Sequence, residues 1–125
     1  MKRRILHILA LAAAMGSWST TASANQYDEV TLGEKVANSD VVVIGKVTSV
    51  SLTNCLKMYS CAAIKIVEQL NGAKTSKILV LFDGPIAEEN PICCKVGATY
   101  LFFLKHAQGP YFGTVNGPYG IYRTN

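Results

Sequence analysis

The sequence contains few of the side chains that catalytic and metal sites use. Its 125 residues include two histidines and one tryptophan, and 16% of the residues are charged. His7 lies close to the N-terminus, so His106 is the one histidine in the body of the chain. Nucleophilic catalysis needs a base and an orienting group beside a serine or cysteine, and neither that pattern nor a P-loop is present. We therefore predict that the protein is not an enzyme and uses no cofactor or metal.

The sequence also lacks an apolar run long enough to span a membrane, which takes about 20 residues. Residues 5–15 form a mostly apolar run of 11 residues that follows the basic residues 2–4. Ala22, Ser23 and Ala24 then provide the small residues that a signal peptidase recognises. This pattern is typical of a bacterial secretory signal peptide. We predict that residues 1–24 are cleaved and that residues 25–125 are exported to the periplasm or the medium, with no remaining membrane span.

Neither sign of charge is in clear excess in the predicted mature chain. The full sequence has a net charge of +4, but three of its basic residues lie in the leader. Residues 25–125 contain nine basic and eight acidic residues, which gives a net charge of +1. The lysines are single and dispersed, as on an ordinary solvated surface. Nucleic-acid-binding proteins instead cluster lysine and arginine, so we predict no nucleic-acid partner.

Four cysteines, Cys55, Cys61, Cys93 and Cys94, remain after cleavage and are expected to form two disulfides in an oxidising compartment. Of the three possible pairings, Cys55–Cys61 with Cys93–Cys94 is disfavoured because the Cβ atoms of neighbours in an extended chain point apart. The other two pairings both join the Cys55–Cys61 loop to residues 93–94, and the sequence does not choose between them. The spacings match neither a Cys-x-x-Cys redox motif nor a four-cysteine zinc site.

Short β-type segments separated by turn residues occupy most of the mature chain. Strands are predicted over residues 41–52, 62–70, 77–82, 99–104 and 111–115, with a short final segment at 120–123. A capping box at Thr31 and Glu34 predicts a short helix that ends near Ser39, with Leu32 and Val36 on its apolar face. The apolar phase changes at Gly45, which predicts a bend in the first strand. Such a bend favours a small β-barrel over a sandwich.

Two segments of the chain resemble the netrin-like domain, the OB-type barrel of the tissue inhibitors of metalloproteinases. They are residues 37–47, ANSDVVVIGKV, and residues 94–102, CKVGATYLF. The resemblance implies a mainly β, five- to six-stranded OB-like barrel over residues 25–125, with one short N-terminal helix. In those inhibitors an N-terminal cysteine chelates the zinc of the protease. Here the expected N-terminus is Asn25, and Ala37 stands where the family has another cysteine, so this mechanism is not expected.

These observations lead to three hypotheses for function. The first is an exported, non-enzymatic module that binds another exported protein through its loops and N-terminal segment. The second is a protease inhibitor that does not use cysteine chelation, and the third is a thiol-redox or metal-handling protein that uses Cys93 and Cys94. For the first hypothesis, the predicted partner-binding residues are Asn25, Gln26, Tyr27, Tyr111 and Tyr119.

Overall fold

The computed structural model of the chain describes residues 27–53 and 55–124. The predicted leader, its cleavage site, Asn25 and Gln26 lie outside the described residues. One α-helix and six strands follow in order: α1 (Leu32–Ala37), β1 (Val41–Ser51), β2 (Ser60–Gly72), β3 (Lys77–Asp83), β4 (Thr99–His106), β5 (Tyr111–Thr114) and β6 (Ile121–Arg123). Single 3-10 turns lie at Ala87–Glu89 and Gly117–Tyr119.

Five of the strands close into a barrel. The sheet runs in the order β1-β2-β3-β5-β4, and β4 pairs back onto β1 to complete the circle, while β6 pairs with β4 outside this circle. The β3–β5 pair is parallel, and the other pairs are antiparallel. These pairings confirm the predicted five- to six-stranded OB-like barrel with one short N-terminal helix.

Gly45 allows β1 to bend where the sequence predicts it. Residues 41–46 pair with β2 on one side and β4 on the other, and the register with β2 shifts between Ile44 and Gly45. A Cβ atom at Gly45 would collide with the Ile64 side chain and approach the Phe102 ring. A larger residue at Gly45 would therefore push β1 away from β2.

Two apolar clusters lie on opposite faces of the β1–β4 wall. The barrel interior is filled by side chains that are almost fully buried: Val43, Val47, Ile64, Ile78, Val80, Phe102 and Leu104. The neighbouring residues Val42 and Phe103 point to the other face, because side chains alternate along a strand. There they pack with Val115, Val36 and Tyr122. This second cluster is where α1 docks on the outside of the barrel.

The helix forms as predicted but buries a different residue. The Thr31 hydroxyl accepts a hydrogen bond from the Glu34 N–H at 3.2 Å, which confirms the N-cap. Leu32, expected on the apolar face, is 67% exposed, whereas Lys35 is only 3% exposed. The prediction that every lysine is solvated is therefore wrong for Lys35, because its ammonium finds partners that compensate for burial.

The cysteine pairing also differs from the favoured prediction. Cys55 bonds to Cys61, and Cys93 bonds to Cys94, with Cα atoms 6.0 Å and 3.2 Å apart respectively. The prediction assumed an extended chain at residues 93–94, but the peptide bond between them is cis. A cis peptide brings successive Cα atoms closer together than a trans peptide does. Cys94 is buried in the barrel core, and Cys93 packs against it.

Candidate functional site

A cleft opens at the point where β3 and β5 pair with each other in the barrel wall. This parallel pair has two registered residue pairs, Leu79 with Tyr111 and Val80 with Phe112. Beyond them the strands are no longer paired, and Leu81 and Phe82 of β3 line a cavity opposite Gly113 and Thr114 of β5. The cavity has a volume of about 350 Å³, which lies at the small end of the range for ligand sites.

Several connecting segments complete this cavity, which is called the cleft below. The β1–β2 loop contributes Leu56 and Tyr59, and the β3–β4 loop contributes Gly84, Ile86, Glu89, Asn90 and Pro91. Tyr27 comes from the segment before α1, Lys105 and Ala107 from the end of β4, and Asn116 and Gly117 from the turn after β5. The cleft therefore presents apolar and polar surface in similar amounts, with one carboxylate and one ammonium group in its lining.

The two tyrosines of the cleft lie over glycines. A Cβ atom on Gly84 would overlap the Tyr59 ring, and a Cβ atom on Gly117 would lie 3.0–3.3 Å from three atoms of the Tyr27 ring. The Tyr27 ring therefore lies close against Gly117. Glycine at these two positions allows each ring to settle against the backbone.

Two asparagines hold the segments around the cleft in place. Asn90 accepts a hydrogen bond from the Gly84 N–H and donates to the Gly84 carbonyl and the Asp83 carboxylate, which ties the β3–β4 loop to its own start. Asn116 accepts from the Val30 N–H at 2.9 Å and donates to the Asp28 carbonyl at 3.0 Å. This second amide fixes the backbone that follows Tyr27, so both amides serve the frame of the cleft.

Four other polar side chains of the cleft have no such partners. Within the described residues, the side chains of Tyr27, Tyr59, Glu89 and Lys105 make no hydrogen bond and no ion pair. Tyr59 and Glu89 are half-buried, and Tyr27 and Lys105 are exposed. No buried side-chain nitrogen or oxygen of the described residues lacks a hydrogen-bond partner, so the polar atoms of these four groups are accessible to water. They are therefore available to a bound molecule.

A second polar cluster, called the anchor below, consists of Glu29, Lys35 and Tyr122. The Lys35 ammonium donates to the Glu29 carboxylate at 3.0 Å and to the Tyr122 hydroxyl, and that hydroxyl donates to the same carboxylate. The ammonium also lies 4.7 Å from the centroid of the Tyr122 ring and 5.4 Å from that of Phe103. The anchor joins the N-terminal segment, α1 and β6, and with Asn116 it fixes the position of Tyr27.

The pKa values of the three anchor groups reflect this pairing. Hydrogen bonds from Tyr122 and Lys35 lower the pKa of Glu29 below its ordinary value. Burial lowers the pKa of Lys35, but the bonds to Tyr122 and Glu29 outweigh that effect, so the net pKa is raised. Burial, followed by the bond to Glu29, raises the pKa of Tyr122. The charged forms of Glu29 and Lys35 and the neutral form of Tyr122 therefore stabilise one another.

The residues that the sequence predicts to bind a partner lie in different places in the structure. Tyr27 is 39% exposed and lines the cleft. Tyr111 and Tyr119 are half-buried and do not line it. Sequence reasoning missed Tyr59, Glu89 and Lys105. The glycine before the β3–β4 loop and the one after Asn116 are visible in the sequence, but nothing there shows that tyrosine rings cover them.

The remaining candidates for chemistry stay apart. His106 is exposed at the end of β4, and its ring lies 4.4 Å from that of Phe112. Over residues 27–53 and 55–124, no group of three or more histidine, cysteine, aspartate or glutamate side chains is placed to hold a metal ion. In the same part of the chain, no helix has the length and apolar character needed to cross a membrane.

Comparison with known proteins adds no identification. No protein-family model matches the chain, and no curated protein is significantly similar to it.

Proposed function

We propose that this chain is an exported, non-enzymatic module that binds another exported protein through the cleft. The observation that carries the proposal is a cleft lined both by apolar side chains and by four polar side chains that have no partner among the described residues. The backbone around this cleft is held by the Asn90 and Asn116 amides. A preorganised site loses little conformational freedom when it binds, which favours affinity. Aromatic residues at the centre of such a site are the usual anchors of protein interfaces.

Two further observations support a protein as the ligand. The apolar side chain of Ile86, which lines the cleft, is 52% exposed. The cleft also has loops and the N-terminal segment at its rim, which matches the surface expected from the sequence. The disulfides are compatible with an exported protein. The netrin-like resemblance stays a prediction, and an OB-like barrel is compatible with it.

A variant that fills the cleft tests this proposal. Gly113 lines the cleft and pairs directly with Lys105, whose side chain also lines it. Directly paired residues point to the same face of a sheet, and nothing lies within 4 Å of a Cβ atom at Gly113. Gly113→Leu should therefore place an apolar side chain in the cleft without disturbing the barrel.

The measurement is affinity capture from the envelope and medium of the producing organism with the mature chain. We expect a specific protein to be captured by the native chain and lost with Gly113→Leu. Gly33→Leu, the same change at an open position of α1, should retain it. Equal capture by both variants, or no specific protein with the native chain, would count against the proposal.

Inhibition of a protease is a second candidate, favoured by the way in which the anchor and Asn116 fix the N-terminal segment beside the β3–β4 loop. A rigid segment at a rim resists distortion in a protease cleft and binds with little ordering cost. Inhibition kinetics against a panel of exported proteases, metalloproteases included, test it. Absence of inhibition across the panel would remove this candidate. All four cysteines are disulfide-bonded, so none of them offers a metal the thiolate that it would bind.

A further inference from the structure

We infer that the cleft receives a long cationic side chain, best an arginine, from an exposed segment of the partner protein. This inference rests on the proposed function and gives the chemistry of the ligand. It starts from the shape of the cleft, whose volume of about 350 Å³ accommodates one extended side chain rather than a folded element. Leu81, Phe82 and Ile86 offer apolar surface to a methylene stem, and arginine buries its stem in this way while its head group stays polar.

The polar groups of the cleft match a cation. Glu89 provides a half-buried carboxylate without an ion-pair partner, and Tyr27 and Tyr59 provide aromatic rings and free hydroxyl oxygens. A guanidinium donates two parallel hydrogen bonds to a carboxylate through its planar fork, and it also stacks on aromatic rings. Within the β3–β4 loop, Glu89 is the charged residue that lines the cleft, and residues 83–90 contain no basic residue.

The anchor shows how this chain binds a cation with the same groups. There a carboxylate, a phenol and two aromatic rings surround the Lys35 ammonium. The cleft presents a carboxylate and two phenols, but its own cation, Lys105, is exposed and makes no ion pair with Glu89. An incoming arginine would give Glu89 the kind of partner that Lys35 gives Glu29.

Lys105 provides a test of the sign of the ligand's charge, because its own positive charge repels the proposed cation. Removing the positive charge of Lys105 should strengthen the binding of a cation, and removing the negative charge of Glu89 should weaken it. An anionic ligand would show the reverse pattern, and a purely apolar ligand would respond to neither change. The sign of the two effects therefore identifies the class of side chain.

The experiment titrates the mature chain with three capped tripeptides, followed by NMR signals of Tyr27 and Tyr59. The probes are acetyl-Gly-Arg-Gly-amide, its citrulline analogue, which is neutral and nearly isosteric, and the glutamate analogue. We expect millimolar binding of the arginine peptide, because so small a ligand has few atoms to contribute. Binding of the citrulline peptide should be about tenfold weaker, since it lacks the charge-assisted hydrogen bonds.

Three variants complete the test. Glu89→Gln should lower the affinity for the arginine peptide about tenfold, and Lys105→Gln should raise this affinity about threefold. Glu88→Gln is the matched control, because Glu88 is an exposed neighbouring carboxylate that does not line the cleft, and it should change the affinity less than twofold.

Several results would overturn the inference. They are equal affinity for the arginine and citrulline peptides, preference for the glutamate peptide, equal effects of Glu88→Gln and Glu89→Gln, or no arginine-dependent shift at any soluble peptide concentration. The proposed function fails separately. If Gly113→Leu abolishes capture of a protein partner while Glu89→Gln leaves it unchanged, the cleft binds a partner but not through a cation.

Discussion

The anchor and the cleft use the same kinds of side chain in opposite states of pairing. In the anchor, the Lys35 ammonium, the Glu29 carboxylate and the Tyr122 hydroxyl all contact one another. In the cleft, the corresponding groups of Lys105, Glu89, Tyr27 and Tyr59 make no hydrogen bond or ion pair among the described residues. The first arrangement stabilises the fold, whereas the second leaves polar groups for a ligand.

We interpret this difference as a separation of residues that stabilise the fold from candidate binding residues. A buried ammonium is costly unless it is paired and hydrogen-bonded, so Lys35 with its partners needs no function beyond holding the N-terminal segment. Half-buried and exposed groups without partners contribute little to stability, and their placement around a cavity suits a binding site. Substitutions should therefore act on stability at the anchor and on binding at the cleft.

The largest effect is expected at Lys35. Lys35→Ala removes two hydrogen bonds and the contacts of the ammonium with the Phe103 and Tyr122 rings, and it leaves a gap at a buried position. We expect the free energy of unfolding to fall by about 2–3 kcal/mol, as measured by urea denaturation. Lys95→Ala is the control at an exposed loop lysine and should change it by less than about 0.5 kcal/mol. Equal effects would show that the anchor contributes nothing.

Gly84→Ala should lower the free energy of unfolding and also change the shape of the cleft, because it displaces a tyrosine of the cleft. A methyl group at this position overlaps the Tyr59 ring, and overpacking costs about 1–2 kcal/mol. Gly33→Ala is the control in α1, where a Cβ atom meets nothing, and it should be stabilising by up to about 1 kcal/mol. Urea denaturation of both variants measures the contrast, and a neutral Gly84→Ala would show that Tyr59 is not held against the glycine.

The anchor should loosen at both extremes of pH ahead of the cleft frame. In that frame, the bonds of Asn116 and the two bonds between Asn90 and Gly84 involve no titratable group. The lowered pKa of Glu29 gives a contribution that is present above its ordinary value of 4.5 and lost as pH falls through the folded pKa. The raised pKa values of Tyr122 and Lys35 give contributions present below 10.0 and 10.5 and lost as pH rises through the folded values.

NMR signals of Val36 and Tyr122 report this behaviour at the anchor, and those of Gly84 and Asn90 serve as the reference. Acid-induced changes at the anchor should precede those at Gly84 and Asn90. Simultaneous changes at both places would mean that pH acts only through global unfolding.

Much of the fold follows from local signals in the sequence. The β-branched run of β1, the bend at Gly45 and the Thr31 cap are all determined by neighbours in the chain, and each is confirmed. The strand predicted over residues 62–70 is longer in the structure, where β2 runs from Ser60 to Gly72 and the Gln69 side chain bonds to the carbonyls of Asn71 and Ala73.

The site could not be predicted in the same way, because its pairings join residues distant in the sequence. Lys35 reads as a surface lysine until Tyr122 approaches it from 87 positions away. Asn116 reads as a turn residue, yet its amide holds Asp28 and Val30. The pairing of Cys93 with Cys94 escaped prediction for a different reason, since it depends on the conformation of one peptide bond.

The smallest effect on stability is expected at Glu89. The carboxylate has no partner among the described residues, so Glu89→Gln should change the free energy of unfolding by less than about 0.5 kcal/mol. Its effect should appear in binding instead. A loss of more than about 1 kcal/mol in urea denaturation would place Glu89 among the structural residues and remove the contrast with the anchor.

The division between anchor and cleft is tested most directly by quantitative partner capture with Tyr27→Ala. Ile92→Ala is the control, because Ile92 is a more exposed apolar residue that lies outside the cleft lining. We predict that Tyr27→Ala captures less than about one-tenth of the partner bound by the native chain, whereas Ile92→Ala stays near the native level. Undiminished capture by Tyr27→Ala would contradict the assignment of binding to the cleft.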